Sequence, residues 1–189
     1  LFNDSYTGGN DSVLFPSATA SLSSNRLYYE ADYCVEEASG TFVQINFHPY
    51  VYMISLHVDD YDGDGKKDDI RLTEDTTASW STSVTETVGT IAKLGEWFNI
   101  RIEEYFAETA DEVRCLIYVN GELRAITNNY FGKSLTSDVT PPTFCEGARV
   151  SVLSNCRVRM YVDNVLMNMT SDSYVTPSKL PEDMIVNVD

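Results

Sequence analysis

Between residues 60 and 68 the chain reads DYDGDGKKD. Asp60, Asp62, Asp64 and Asp68 take the first, third, fifth and ninth places of this stretch, and Gly65 takes the sixth. Ca2+ is coordinated by about six to eight hard oxygens, and this spacing wraps acidic side chains around one point while a glycine at the sixth place permits the sharp turn. The backbone carbonyl of Lys66, at the seventh place, would complete the ligand set. The twelfth place holds Arg71, so the bidentate glutamate of a helix-loop-helix calcium site is missing, and no helical periodicity flanks the loop. The competing account is a solvated hairpin tip, acidic only for solubility. Four carboxylates so close in sequence repel one another without a cation, which favours calcium.

A second set of residues has the types that meet sugars. Tyr28, Glu30 and Asp32 alternate along one stretch, Gln44, Asn46 and His48 along the next, and Asn99, Arg101 and Glu103 along a third, with Arg157, Arg159 and Tyr161 near the end. If these faces coincide, they form one wet surface of planar amides, acids and aromatics. Carbohydrate recognition needs that mixture, a flat apolar ring face plus paired hydrogen-bonding groups for hydroxyls. The plainer account is that outward strand faces are polar anyway and that Arg–Glu pairs across strands stabilise sheets without a ligand. On that account Trp97 packs in the core, and Tyr130 and Phe131 plug an edge instead of stacking on a glycan.

Strands must position both sets. From Trp97 to Thr127 the chain alternates with a period of two: Phe98, Ile100 and Ile102 point one way, Trp97, Asn99, Arg101 and Glu103 the other. Val113, Cys115, Ile117 and Val119 repeat the pattern, and Asn120-Gly121 predicts a tight hairpin because both central positions of that turn need positive φ. Similar alternation marks Leu27–Glu37 and Thr41–His48. Further strand signals cover Val13–Phe15, Tyr50–Val58, Asp69–Thr73, Ala148–Leu153 and Cys156–Met167, with weaker, Thr-rich ones at Trp80–Val88 and Gly89–Leu94. Many short strands at turn spacing predict a sandwich. After Thr170 the chain becomes Ser/Thr/Pro-rich and acidic, so the expected organisation is one domain over 1–170 and a tail or linker over 171–189.

The 189 residues suffice for a full two-layer core. A net charge of −16 repels phosphate backbones and anionic lipid, so nucleic acid and membrane surfaces are not expected partners. No apolar run is long enough to insert in a membrane. The chain opens at Leu1, which fits an excised domain or a mature product. The four cysteines, Cys34, Cys115, Cys145 and Cys156, lack any CxxC spacing and read as buried thiols, with one or two disulfides as the alternative. Sequons begin at Asn3, Asn10 and Asn168.

Four segments in order, YYEADYCVEE, GEWFNIRIEEY, VRCLIYVNGEL and RMYVDNVLMN, resemble the concanavalin A-like, laminin-G-like jelly-roll group over about Leu27–Met167. The resemblance implies an all-β fold, a two-sheet antiparallel jelly-roll β-sandwich, with glycan bound on a concave sheet or its rim and calcium often present. The Asp60–Asp68 loop is similar to the DxDxDG loops between strands of extracellular β-domains. The resemblance also raises a second structural calcium held by Asp163 against Asn3 or Asp4, with strand-end capping as the alternative. Glu30-Ala-Asp32 resembles half of the laminarinase-type acid motif, which needs two glutamates flanking the aspartate. Here the fourth place after Glu30 is Cys34, the fifth is Val35, and Glu36 lies one pleat too far for a retaining carboxylate pair about 5 Å apart. The expectation is therefore a non-catalytic, calcium-stabilised glycan-binding module of a secreted or cell-surface protein. The alternative is a structural or adhesive domain contacting neighbouring domains or other copies of itself.

Overall fold

The computed structural model describes residues 2–4, 11–16, 26–48, 53–74, 86–105, 114–127, 147–152, 158–175, 177 and 185–187. Among the described residues thirteen strands run in chain order: β1 (Phe2–Asp4), β2 (Asp11–Pro16), β3 (Arg26–Glu37), β4 (Gly40–His48), β5 (Met53–Asp59), β6 (Asp69–Glu74), β7 (Glu86–Lys93), β8 (Trp97–Tyr105), β9 (Arg114–Val119), β10 (Glu122–Thr127), β11 (Gly147–Val152), β12 (Val158–Thr170) and β13 (Ile185–Asn187). There is no helix among the described residues. One sheet has the order β1-β12-β3-β8-β9-β10-β13 and the other β2-β11-β4-β5-β6-β7. Every pairing is antiparallel except that of β13 with β10. This is the expected two-sheet jelly-roll sandwich.

The alternation read from the sequence becomes the core. Leu27, Tyr29, Ala31, Tyr33 and Val35 of β3, with Phe98, Ile100 and Ile102 of β8, meet Leu56, Val58, Ile70 and Leu72 from the opposite sheet. Tyr29 and Tyr33 are wholly buried, and their hydroxyls satisfy each other, which lets two phenols sit in an apolar layer. Tyr33 also stacks on Phe98, with ring centroids 5.8 Å apart. One residue breaks the pattern. Glu104 has the parity of Ile100 and Ile102, pairs in register with Leu27 and Cys115, and is only 3% exposed.

Asn120 and Gly121 take positive φ of 50° and 81°, as the hairpin requires. Cys34 and Cys115 are buried thiols; Cys145, Cys156, Tyr130 and Phe131 lie outside the described residues. Where two strands were expected between Trp80 and Leu94, the described part is one, β7, running through Gly89. Beyond Thr170 the chain folds back. Asp172 pairs with Arg26 at 2.8 Å, Tyr174 packs edge-on against Tyr105, and β13 extends the seven-stranded sheet.

Candidate functional site

The outer face of the seven-stranded sheet carries most of the expected sugar contacts. Tyr28, Glu30 and Asp32 of β3 stand directly opposite Glu103, Arg101 and Asn99 of β8. On the other side of β3, Asp163 of β12 faces Asp32. Gln44, Asn46 and His48 do not join them. They belong to β4, in the six-stranded sheet beyond the core, so the single continuous face expected from the sequence is not formed. Alternation fixes which side of a strand a residue occupies, but not which of two sheets receives the strand.

The face divides into two halves. Towards Tyr105 it is filled by its own side chains. Arg26 pairs with Glu103 at 2.9 Å, Arg101 Nε lies 3.2 Å from the same carboxylate, and the Tyr105 hydroxyl donates to it at 2.9 Å. The Arg101 guanidinium lies 3.8 Å from the centre of the Tyr118 ring, and the Tyr28 hydroxyl donates to Glu30. Tyr118, Tyr105 and Tyr174 pack over Leu116, Leu123 and Ile126, a small second core on this outer surface.

Towards Trp97 the face opens into a depression of about 400 Å³ lined by Asp32, Trp97, Phe98, Asn99, Asn120, Asp163 and Asn164. Asp32 is its centre. Asn164 Nδ2 donates to one of its oxygens at 2.7 Å and Asn99 Nδ2 to the other at 2.9 Å. These two bonds, that from Asn164 foremost, hold the Asp32 carboxyl below the usual aspartate range. A register shift between Asp163 and Leu166 gives β12 a bulge, and Asn164 within it takes a φ of 50°. The Asn120 side chain accepts from the Asn99 backbone N–H at 2.8 Å, tying the hairpin turn to the wall. Trp97 is 56% exposed and Tyr161 37% exposed, with ring centroids 6.5 Å apart. The expectation that Trp97 packs in the core is thus overturned: its parity is that of Asn99, and the ring lies on the wet side. The sequence reading had missed Asn120 and Asn164 as site residues. Their only signals are the Asn-Gly turn and the Asp-Asn step inside an otherwise alternating strand.

The acidic loop is a separate feature joining β5 to β6. One carboxylate oxygen from each of Asp60, Asp62 and Asp64 falls within 4.8 Å of the others. Gly63 and Gly65 take φ of 76° and 87°, the conformation for which glycine was expected at the sixth place. Backbone N–H groups organise the carboxylates: Gly65 donates to Asp60, Asp64 to Asp62 and Lys66 to Asp64. Asp60 Oδ1 is buried and has no hydrogen-bond partner. Asp68 does not join the three; it takes Lys93 Nζ at 3.2 Å, and the same ammonium reaches Asp62 at 2.8 Å. The Lys66 ammonium pairs with Asp64 at 2.7 Å. Beneath the loop Asp69 is fully buried and accepts from the N–H groups of Tyr61 and Asp62 and the hydroxyl of Thr90. These contacts, the Asp62 N–H foremost, lower its carboxyl below the ordinary value. The second calcium arrangement, Asp163 with Asn3 or Asp4, is not formed. β1 places Asn3 opposite Arg159 and Asp4 opposite Val158, roughly 13 Å or more along β12 from Asp163, since a strand rises about 3.3 Å per residue.

No protein-family model matches this sequence, and no curated protein is similar to it at a significant level. Solved structures of similar fold were found. A family 7 alginate lyase in complex with substrate aligns over 84% of this chain and 66% of its own, with 11% identity and a TM-score of 0.47. A galectin of Caenorhabditis elegans aligns over 86% and 95%, at 14% identity and a TM-score of 0.38. A carbohydrate esterase of the Shiga toxin-encoding bacteriophage phi24B aligns over 82% and 72%, at 7% identity and a TM-score of 0.45. The strand order of this chain itself gives the fold, two antiparallel sheets packed as a jelly-roll sandwich. The alignment spans about two thirds of the alginate lyase's length.

These likenesses correct one expectation. The chain was expected to be non-catalytic because β3 lacks the paired glutamates of a retaining glycosidase. A missing glycosidase pair excludes one reaction only, and the aligned structures include alginate lyases and a carbohydrate esterase, so the non-catalytic expectation does not stand.

Proposed function

We propose that the chain is a carbohydrate-binding domain and that its sugar site is the depression between Trp97 and Asp163. The observation that carries this reading is an exposed Trp97 with Tyr161 beside it, flanking a hollow lined by two carboxylates and three carboxamides. An aromatic face accepts the apolar side of a sugar ring, and amides offer a donor and an acceptor from one rigid plane to neighbouring hydroxyls. The Asp32–Asn99–Asn164 bonds fix those planes in advance, which lowers the entropy lost on binding. The test is a glycan array followed by calorimetry, comparing the wild type with Trp97→Ala and Asn120→Ala. Binding abolished by either change supports the site; a bound glycan indifferent to both moves the site elsewhere.

A second element of the proposal is calcium at Asp60, Asp62 and Asp64, where the unpartnered buried oxygen of Asp60 supplies the specific support. The three carboxylates with the Lys66 carbonyl are hard-oxygen donors of the type calcium takes, and the ion would neutralise the loop. Lys93 and Lys66 compete for the same carboxylates, so the site would be weak and would fill where calcium is millimolar, as outside cells. A secreted or surface-displayed protein belongs to this reading. Equal melting temperatures in excess chelator and in millimolar calcium would remove this element while leaving the sugar site untouched.

A further inference from the structure

The charge of the depression narrows the class of sugar, on the premise that the sugar site proposed above is correct. Its walls hold Asp32 and Asp163 and the carboxamides of Asn99, Asn120 and Asn164; no cationic side chain is among the described residues lining it. The two nearest guanidiniums along the flanking strands are engaged. Arg101 lies between Glu103 and the Tyr118 ring. Arg159 lies 3.7 Å from Glu36 and 3.6 Å from Glu37. Neither is placed to meet a ligand carboxylate or sulfate without giving up those partners. The whole chain, at a net charge of −16, adds a repulsive background.

We propose that this site takes sugars that are uncharged or carry an amino group, and rejects uronates and sulfated sugars. Ionised carboxylates only accept hydrogen bonds, which suits sugar hydroxyls and ammonium groups as donors. A uronate would set a third carboxylate against Asp32 and Asp163. Asp32 does not escape the conflict by taking up a proton at neutral pH, because its two amide donors stabilise the charged form. A polyuronate such as alginate therefore falls on the rejected side, although lyases for it share the fold.

The experiment is titration calorimetry of the whole chain with three sets of hexasaccharides: a neutral panel (gluco-, manno-, xylo- and galacto-configured), chitosan hexamer, and oligomannuronate with oligogalacturonate. Trp97→Ala is run alongside to separate site binding from bulk charge attraction. The expected result is Trp97-dependent binding of at least one neutral or amine-bearing hexamer, with every uronate at least tenfold weaker. The gap should narrow severalfold in Asp32→Asn/Asp163→Asn. Should that double variant not fold, Asp163→Asn alone carries the comparison, since an amide oxygen can still accept from the Asn164 N–H. Trp97-dependent binding of a uronate as tight as the best neutral sugar overturns the charge selection and leaves the sugar site standing. Failure of all three sets at millimolar concentration overturns the sugar site itself.

Discussion

Glu104→Gln is the most informative single change in this protein. Glu104 points into the core from β8 between Leu27 and Cys115, and burial alone pushes its carboxyl up to about 8. In the unfolded chain a glutamate titrates near 4.3. Between those two values the folded state holds a proton that the unfolded state has lost. Stability is therefore fully present below about pH 4.3 and declines as pH rises towards 8, by at most about 1.4 kcal/mol per pH unit and on the order of 3–5 kcal/mol in all. Glutamine has the shape of the protonated acid and no charge to lose. The assay is urea unfolding of wild type and Glu104→Gln from pH 5 to 9, read as the difference between the two curves so that all other titrating groups cancel. The two proteins should be close at pH 5 and diverge steadily, with the variant the more stable above pH 8. Parallel curves across that range would refute the placement of an ionisable carboxyl inside this core.

Further outcomes follow from other residues. Asp69→Ala leaves the N–H groups of Tyr61 and Asp62 without their buried acceptor and should cost about 2–4 kcal/mol in denaturant unfolding. Because the Asp69 carboxyl is held low, its contribution in the wild type should persist above the ordinary aspartate value and fade only as pH drops below it, opposite in sign to Glu104. Lys93→Met frees Asp62 and Asp68 from an ammonium and should enlarge the calcium-induced rise in melting temperature; an unchanged or smaller rise argues against competition at the loop. Trp97→Ala should change unfolding free energy by less than about 1 kcal/mol, since the ring is largely exposed, while Ile100→Ala in the core should cost about 2–5 kcal/mol in the same measurement.

Local patterns were legible in the sequence where local physics decides them. The rows of β3, β8 and β9, the Asn120-Gly121 turn and Gly65 of the acidic loop all read correctly, because periodicity and positive φ are properties of a few adjacent residues. Pairing across the fold was not. β3 and β4 are consecutive and similar, yet one enters each sheet, which separated Gln44, Asn46 and His48 from Asp32 and Asn99. The depression depends on a bulge in β12 and a turn after β9, residues distant in sequence that meet only when both strands flank the β3–β8 pair. Asp69 entered only as the start of a strand, and its burial is what marks it as the loop's anchor. Glu104 shares the parity of Ile100 and Ile102, but a carboxyl at that place carries no apolar signal of burial.

The segment after Thr170 has a consequence for handling the protein. Tyr174 covers Leu116, Leu123 and Ile126, and β13 hides the free edge of β10. A protease nick that released this strap would bare an oily patch beside an unpaired strand, the combination from which chains begin to stick to one another. How long a purified sample stays clear would then be governed by the segment after Thr170, well away from Trp97 and the sugar it is proposed to meet.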